Sequence, residues 1–179
     1  MIILISGASG LIGTQLSAHL ERIGHEVIRL VRRRAGANEV SWDPAKGLLN
    51  STDIEGIDAV IHLSGASIGD KRWTNLYKKE ILASRVLSTS LLARTVAALN
   101  RKPAVFLSGS AIGIYGDRDD ESLDETNTLG QGFLADVCRQ WESAANPAMD
   151  AGIRTAFLRT GIVLTPEGGA LKKQLPLFR

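Results

Sequence analysis

Apolar and polar positions along the chain follow two regimes: short, nearly continuous aliphatic runs, and longer stretches where apolar residues recur every three or four positions. The first run, Ile2 to Ile5, breaks into Gly7-Ala8-Ser9-Gly10-Leu11-Ile12-Gly13. Leu11, Ile12, Leu16, Leu20 and Ile23 then recur at helical spacing as far as Gly24, which is placed to stop a helix. A nearly unbroken run from Glu26 to Arg32 predicts a strand covered on both faces. Val40-Ser41-Trp42 predicts a short third strand and Asp58 to Leu63 a clearer fourth. Pro103 to Leu107 predicts a fifth, ending in Ser108-Gly109-Ser110-Ala111, and Thr155 to Arg159 a sixth. Between them, Thr74 to Asn100 and Phe133 to Ala148 read as helices, the latter with Phe133, Val137, Trp141 and Ala144 on one face. In the former, the apolar pairs Ile81/Leu82, Val86/Leu87, Leu91/Leu92 and Val96/Ala97 rotate by about 140° from one to the next. That surface is wider than one stripe, so this helix is expected to contact something besides its own sheet, and a homodimer through residues 74–100 is expected. Strands alternating with helices predict an α/β fold, a Rossmann-type doubly wound parallel sheet of about six strands in order 3-2-1-4-5-6.

Bulk composition narrows the function classes. The 179 residues, 44% hydrophobic and 22% charged, suit one domain with a substantial core over 1–179. Twenty-one basic against 19 acidic residues leave a formal charge of +2, which gives no reason to expect a nucleic-acid or membrane partner. No apolar run approaches the ~18 residues of a membrane-spanning helix. The single cysteine, Cys138, cannot close an internal disulfide, and no charged-then-apolar leader opens the chain, so a cytoplasmic location is the expectation. His19, His25 and His62 lack clustered Cys or carboxylate partners. No metal site is expected, and His62 reads as a hydrogen-bonded structural residue.

Candidate chemistry concentrates at strand ends. In the first turn, Gly7 can bend sharply off the strand, Gly10 lets backbone approach a pyrophosphate, and Gly13 lets the helix pack close on the sheet. The helix N-terminus beyond them aims unpaired N–H groups at such an anion. A site for NAD would place Asp or Glu ~20 residues past these glycines. Here stand Arg32-Arg33-Arg34, which suit a 2′-phosphate and point to NADP; the bland alternative is a solvated basic turn. Ser64-Gly65-Ala66 follow the fourth strand, where the adenine and ribose side of a dinucleotide lies. Ile112 to Gly116, carrying Tyr115, forms an active-site-like loop before an acidic flap from Asp117 to Glu125.

Three of these strand ends together, Gly7-x-x-Gly10-x-x-Gly13, His62-Leu63-Ser64-Gly65-Ala66, and Ser108-Gly109-Ser110-Ala111 with Tyr115-Gly116, resemble extended short-chain dehydrogenase/reductases. More narrowly, Arg72-Trp73, Lys79-Glu80, Ser84-Arg85-Val86, Phe133 to Cys138 with Trp141-Glu142, and Arg159-Thr160-Gly161 through Leu171 resemble the atypical sugar-nucleotide epimerase subgroup, with the likeness running along essentially the whole chain. The resemblance implies NADP as cofactor, with Gly7, Gly10, Leu11, Ile12 and Gly13 at the pyrophosphate and Arg32 at the 2′-phosphate. It places Leu63, Ser64 and Gly65 at the adenosine half, Glu80 and Arg85 in the cofactor region, and Val163 near nicotinamide. Ser110 corresponds to the serine that hydrogen-bonds a substrate oxygen, and Tyr115 is the candidate catalytic phenol beside it. The implied substrate is a small molecule, a nucleotide sugar being one class.

Two departures stand out. Catalytic members use Tyr-x-x-x-Lys, whose ammonium tunes the phenol. Four residues beyond Tyr77 and Tyr115 stand Ile81 and Asp119, and Phe133 and Val137 occupy the expected helix positions. Relatives with these motifs also continue well past this point, so the C-terminal substrate lobe is expected to be absent. Two readings stay open: an NADP-dependent epimerase or oxidoreductase, and a non-catalytic NADP-binding redox sensor or partner-binding module.

Overall fold

The short apolar runs pair into one sheet in the computed structural model, which describes residues 1–178. In chain order the elements are β1 (Ile2–Ser6), α1 (Leu11–Arg22), β2 (Glu26–Val31), β3 (Glu39–Ser41), β4 (Ala59–His62), α2 (Asn75–Ala97), β5 (Val105–Ala111), α3 (Phe133–Ser143), α4 (Asn146–Asp150), β6 (Arg154–Thr160) and α5 (Gly169–Gln174). The strand order is β3-β2-β1-β4-β5-β6 with every pair parallel, the doubly wound arrangement that the hydrophobic pattern predicts. The chain runs outward from β1 to β3 and returns to β4 on the other side of β1. The C-terminal ends of β1 and β4 therefore flank the crevice where the order reverses.

Side-chain alternation assigns each strand residue to one of two cores. Leu4, Val60, Phe106 and Leu30 face the layer of α2 and α4, where they meet Leu91, Leu92, Val96 and Ala148. Ile3, Ile5, Ala59, Ile61 and Val27 face α1 and its half-buried Leu16 and Leu20. The pairing of Leu4 with Val60 and of Val60 with Phe106 keeps each set together, and a slip of one residue would exchange the two faces. At the start of α2, the Thr74 hydroxyl accepts a hydrogen bond from the Tyr77 N–H at 3.2 Å and caps the helix. Part of the broad apolar surface of α2 is used within the chain, whereas Leu76 and Leu87 are exposed. Besides the sheet, α2 lies against α3 and α4, with Tyr77 and Ile81 packed on Val137.

Three local expectations are corrected. The helix expected over Phe133 to Ala148 is two helices, α3 and α4, because Pro147 cannot continue an i→i−4 ladder but fits the first turn of a new helix. Ala145 and Ala148, rather than Ala144, enter the core there. Ser108 to Ala111 continue β5 instead of breaking it, since Phe157 to Thr160 of β6 pair with them residue for residue. Ile12 and Ile23 are exposed; the buried positions of α1 are Gly13 and Ser17, because the helix sits too close to the sheet for larger side chains.

His62 is the polar node of the interior, and it is a hydrogen-bonded structural residue as its sequence context predicts. It is fully buried at the end of β4, with Nδ1 2.5 Å from Ser6 Oγ and Nε2 2.8 Å from Thr89 Oγ1. It thereby ties the ends of β1 and β4 to α2. Burial pushes its pKa from 6.5 down to about 3, so the imidazole is neutral when folded. Below pH 6.5 the unfolded chain takes up a proton that the folded chain refuses, and stability falls as pH falls towards 3. Urea unfolding at pH 7 and pH 5 should show a loss of about 2 kcal/mol from this residue, absent in His62→Gln. Equal pH dependence in both proteins would remove His62 as its source.

Candidate functional site

The crevice at the β1 and β4 ends is shaped by backbone. Gly7 leaves β1 with φ +74°, and a Cβ there would lie 2.7 Å from the Leu63 carbonyl carbon and 3.0 Å from the Ser64 nitrogen. Gly13 has no room for a side chain either: a Cβ would fall well inside contact distance of the Gly7 carbonyl oxygen and 2.8 Å from Ala8 Cα. Between them, Gly10 donates its N–H to the Gly7 carbonyl at 2.9 Å and begins α1 with no side-chain cap. With no acidic residue in the first turn, the N–H groups of Leu11, Ile12 and Gly13 keep their pull on an anion. The structure thus brings Gly7, Gly10, Leu11, Ile12 and Gly13 together with Leu63 and Ser64 around one crevice.

The arginine run follows β2 on the same edge of the sheet. Arg33 is committed: its Nη1 and Nη2 donate to Glu39 at 2.7 and 2.6 Å, and this guanidinium holds the Glu39 carboxyl down to about 2. Arg32 and Arg34 are exposed and make no ion pair among the described residues. With Arg33, Trp42, Asp43 and Asn50 they line an open depression of about 670 Å³. A fork of unpaired guanidinium groups beside such a depression suits a phosphate monoester.

The other predicted residues divide. Gly65 packs on the Arg85 guanidinium, whose Nη1 donates to the carbonyls of Ala66 and Ile81, each at 3.0 Å, and which stacks 5.0 Å over the Trp141 ring. Arg85 therefore braces the loop after β4, and burial lowers its pKa. Glu80 lies on the exposed side of α2, 3.5 Å from Nζ of Lys71 in the same segment after β4. Val163 is brought beside the start of α1: Gly169 sits against its carbonyl, Gly168 against Leu11, and Gln15 Nε2 donates to Glu167 at 3.3 Å.

Ser110 and Tyr115 meet through two residues that sequence spacing does not single out as site residues. Ser110 Oγ donates to Glu142 Oε1 at 2.6 Å. Arg159 Nε and Nη2 donate to the two oxygens of the same carboxylate, each at 3.0 Å, and its Nη1 donates to Tyr115 Oη at 2.7 Å. Glu142, first among its partners, raises the Arg159 pKa, so the guanidinium stays charged. Ser110 lies on β5, Glu142 on α3 and Arg159 on β6. Only the parallel pairing of Ser110 with Arg159 makes these residues neighbours. No group of three or more His, Cys, Asp or Glu that could hold a metal occurs among the described residues, and no helix there is long and apolar enough to cross a membrane.

Comparison with known proteins agrees with this fold. The model of the NAD dependent epimerase/dehydratase family matches residues 3–134. An epimerase family protein of Mycobacterium bovis is 39% identical over 178 residues, covering 99% of this chain and 58% of that protein. Among solved structures, the nucleoside-diphosphate sugar epimerase of Corynebacterium glutamicum superposes with a TM-score of 0.87 at 41% identity, over 99% of this chain and 37% of the other. The human epimerase family protein SDR39U1, solved with NADPH, gives 0.86 at 31% identity, over 99% and 59%. The chain spans 58% of the length of the mycobacterial relative. With the doubly wound sheet, the glycine turn and this match to most of its length, the chain belongs to the NAD dependent epimerase/dehydratase family.

Proposed function

We propose that the chain is the coenzyme-binding part of an NADP(H)-dependent epimerase or oxidoreductase acting on a small-molecule substrate. The observation that carries this reading is the pair of unpaired guanidinium groups, Arg32 and Arg34, on the same sheet edge as an uncapped, glycine-lined helix start. The NADPH in the human relative's structure supports the same coenzyme. The first-turn N–H groups of α1 hold the pyrophosphate and Arg32 holds the 2′-phosphate. Leu63, Ser64 and Gly65 line the adenosine side, and Val163 lies on the nicotinamide side. The bound nicotinamide supplies hydride acceptance and return. The chain's own contribution is to fix its position and to present the Ser110 and Tyr115 hydroxyls near the ends of β5 and β6.

A second reading has a specific observation in its favour: Tyr-x-x-x-Lys is absent, and both candidate hydroxyls are tied to Glu142 and Arg159. On that reading the protein binds NADP(H) without turnover, as a redox sensor or partner-binding module. Hydride exchange from labelled NADPH into a substrate would defeat it.

Titration with NADPH and NADH tests the first reading directly. Arg32→Ala should weaken NADPH by about 1 to 3 kcal/mol, the range of a lost charge-assisted contact, and leave NADH unchanged. Equal weakening of both coenzymes would sink the 2′-phosphate role. Gly13→Ala offers an independent check on the close approach. An added methyl in a free helix stabilises by up to ~1 kcal/mol, yet here overpacking should cost about 1 to 3 kcal/mol and reduce NADPH affinity. A raised unfolding midpoint would contradict the crowding at Gly7.

A further inference from the structure

The charged residues lining the depression at the ends of β2 and β3 are Arg32, Arg33, Arg34 and Asp43. Two of them have a partner of opposite sign: Arg33 pairs with Glu39 at 2.6 Å, and Asp43 with Lys46 at 3.1 Å. Arg32 and Arg34 are thus the charges in excess among the described residues. Glu39 is the one carboxylate between Glu26 and Asp43. Left bare beside the arginine run, it would repel a 2′-phosphate that the run attracts.

The fold disposes of that charge within one turn. Asn38 takes the left-handed conformation that asparagine tolerates, φ +54°, immediately before β3. The Glu39 side chain, 14% exposed, then reaches back over the residues that follow β2. Its Oε1 accepts from Arg33 Nη2 at 2.6 Å, and its Oε2 accepts from Arg33 Nη1 at 2.7 Å and from the Gly36 N–H at 2.8 Å. Ser41 Oγ closes the same turn, accepting from the Ala35 N–H and donating to the Arg33 carbonyl, each at 2.9 Å. Arg33 Nη1 also donates to the Arg34 carbonyl at 2.9 Å. The backbone on either side of Arg34 is held, whereas its side chain is exposed. A fixed turn beneath an exposed guanidinium presents it with less ordering left to do on binding.

We propose that Arg33 and Glu39 are positioning residues for coenzyme selectivity: Glu39 folds the turn that carries Arg34, and Arg33 serves the 2′-phosphate only through Glu39, by cancelling the charge that would repel it. The inference rests on the NADP(H) reading and deepens it. It gives the three arginines different tasks, Arg32 and Arg34 towards the phosphate and Arg33 towards the carboxylate. Arg33 as a third phosphate ligand is the competing assignment, and it fits the geometry less well because both terminal nitrogens are already engaged by Glu39.

Calorimetric titration of the parent and its variants with NADPH and NADH tests this, with adenosine 2′,5′-bisphosphate and AMP as probes that isolate the phosphate. Arg33→Met leaves Glu39 bare and should weaken NADPH about tenfold while NADH stays within about twofold, a like-charge penalty moderated by the exposure of this edge. Removing the bare charge as well, in Arg33→Met/Glu39→Gln, should return NADPH to within about threefold of the parent, the remainder being one ordinary hydrogen bond lost from the turn. Arg33→Lys keeps a cation beside Glu39 and should lose less than Arg33→Met. The bisphosphate should follow NADPH across the series, and AMP should follow NADH. Because the Arg33 side chain is 65% exposed, the pair adds little to stability, and the melting temperature should barely move.

A double variant as weak as Arg33→Met would make Arg33 a direct phosphate ligand and overturn the proposal. Unchanged selectivity in Arg33→Met would overturn it as well. Equal loss of NADPH and NADH with a lowered melting temperature would reduce the pair to a structural staple, again against the proposal. A parent protein that binds neither coenzyme would overturn the coenzyme reading and this inference with it. A parent that prefers NADPH, with a preference indifferent to Arg33→Met, would overturn this inference alone.

Discussion

Everything at the C-terminal edge of the sheet depends on how closely the turn after β1 approaches its neighbours. Gly7 lies against the Leu63–Ser64 peptide, and Gly13 lies against the Gly7 carbonyl, at separations that leave no space for a Cβ. This contact sets the height of α1 over the sheet, and hence where its uncapped N–H groups point. It also explains why α1 buries Gly13 and Ser17 while Ile12 faces solvent: the helix is drawn down onto the strands on its small-residue side.

The interior beneath that turn is polar where an aliphatic residue would also have fitted the strand pattern. His62 joins Ser6 at the end of β1 to Thr89 and Ser88 on α2, so that the strand ends flanking the crevice share one hydrogen-bonded node. A neutral imidazole with both ring nitrogens engaged meets the requirement that buried polar groups find partners. Arg85 performs a related task on the outer side of the same loop. It stacks on Trp141 and holds the Ala66 carbonyl, which keeps the segment after β4 in place.

The two ends of the sheet edge differ in electrostatic character. At the β2 and β3 end, Arg33 is neutralised by Glu39, leaving Arg32 and Arg34 as net positive charge around an open depression. At the β5 and β6 end, Glu142 and Arg159 cancel each other in a mostly buried fork, and polarity persists only as the directions of two hydroxyl groups. One end carries net charge and the other is electrically balanced.

The sequence by itself determined the α/β class and the six strands, because continuous apolar runs and helical periodicity are local properties that survive into the fold, and the strand order is the one that strand–helix alternation implies for a doubly wound sheet. It also determined the glycine turn, since only glycine tolerates both a positive φ and backbone at such short range. The extent of β5 and the break between α3 and α4 were less legible: the first depends on pairing with β6, and the second on where Pro147 falls relative to a helix start. Tertiary structure alone decided which arginine of the run is committed to an ion pair, that Glu80 and Arg85 meet the segment after β4 at Lys71 and Ala66, and that Ser110, Glu142, Arg159 and Tyr115 form one network. Those facts are contacts between residues far apart in the chain, and periodicity carries no information about a partner on another strand or helix.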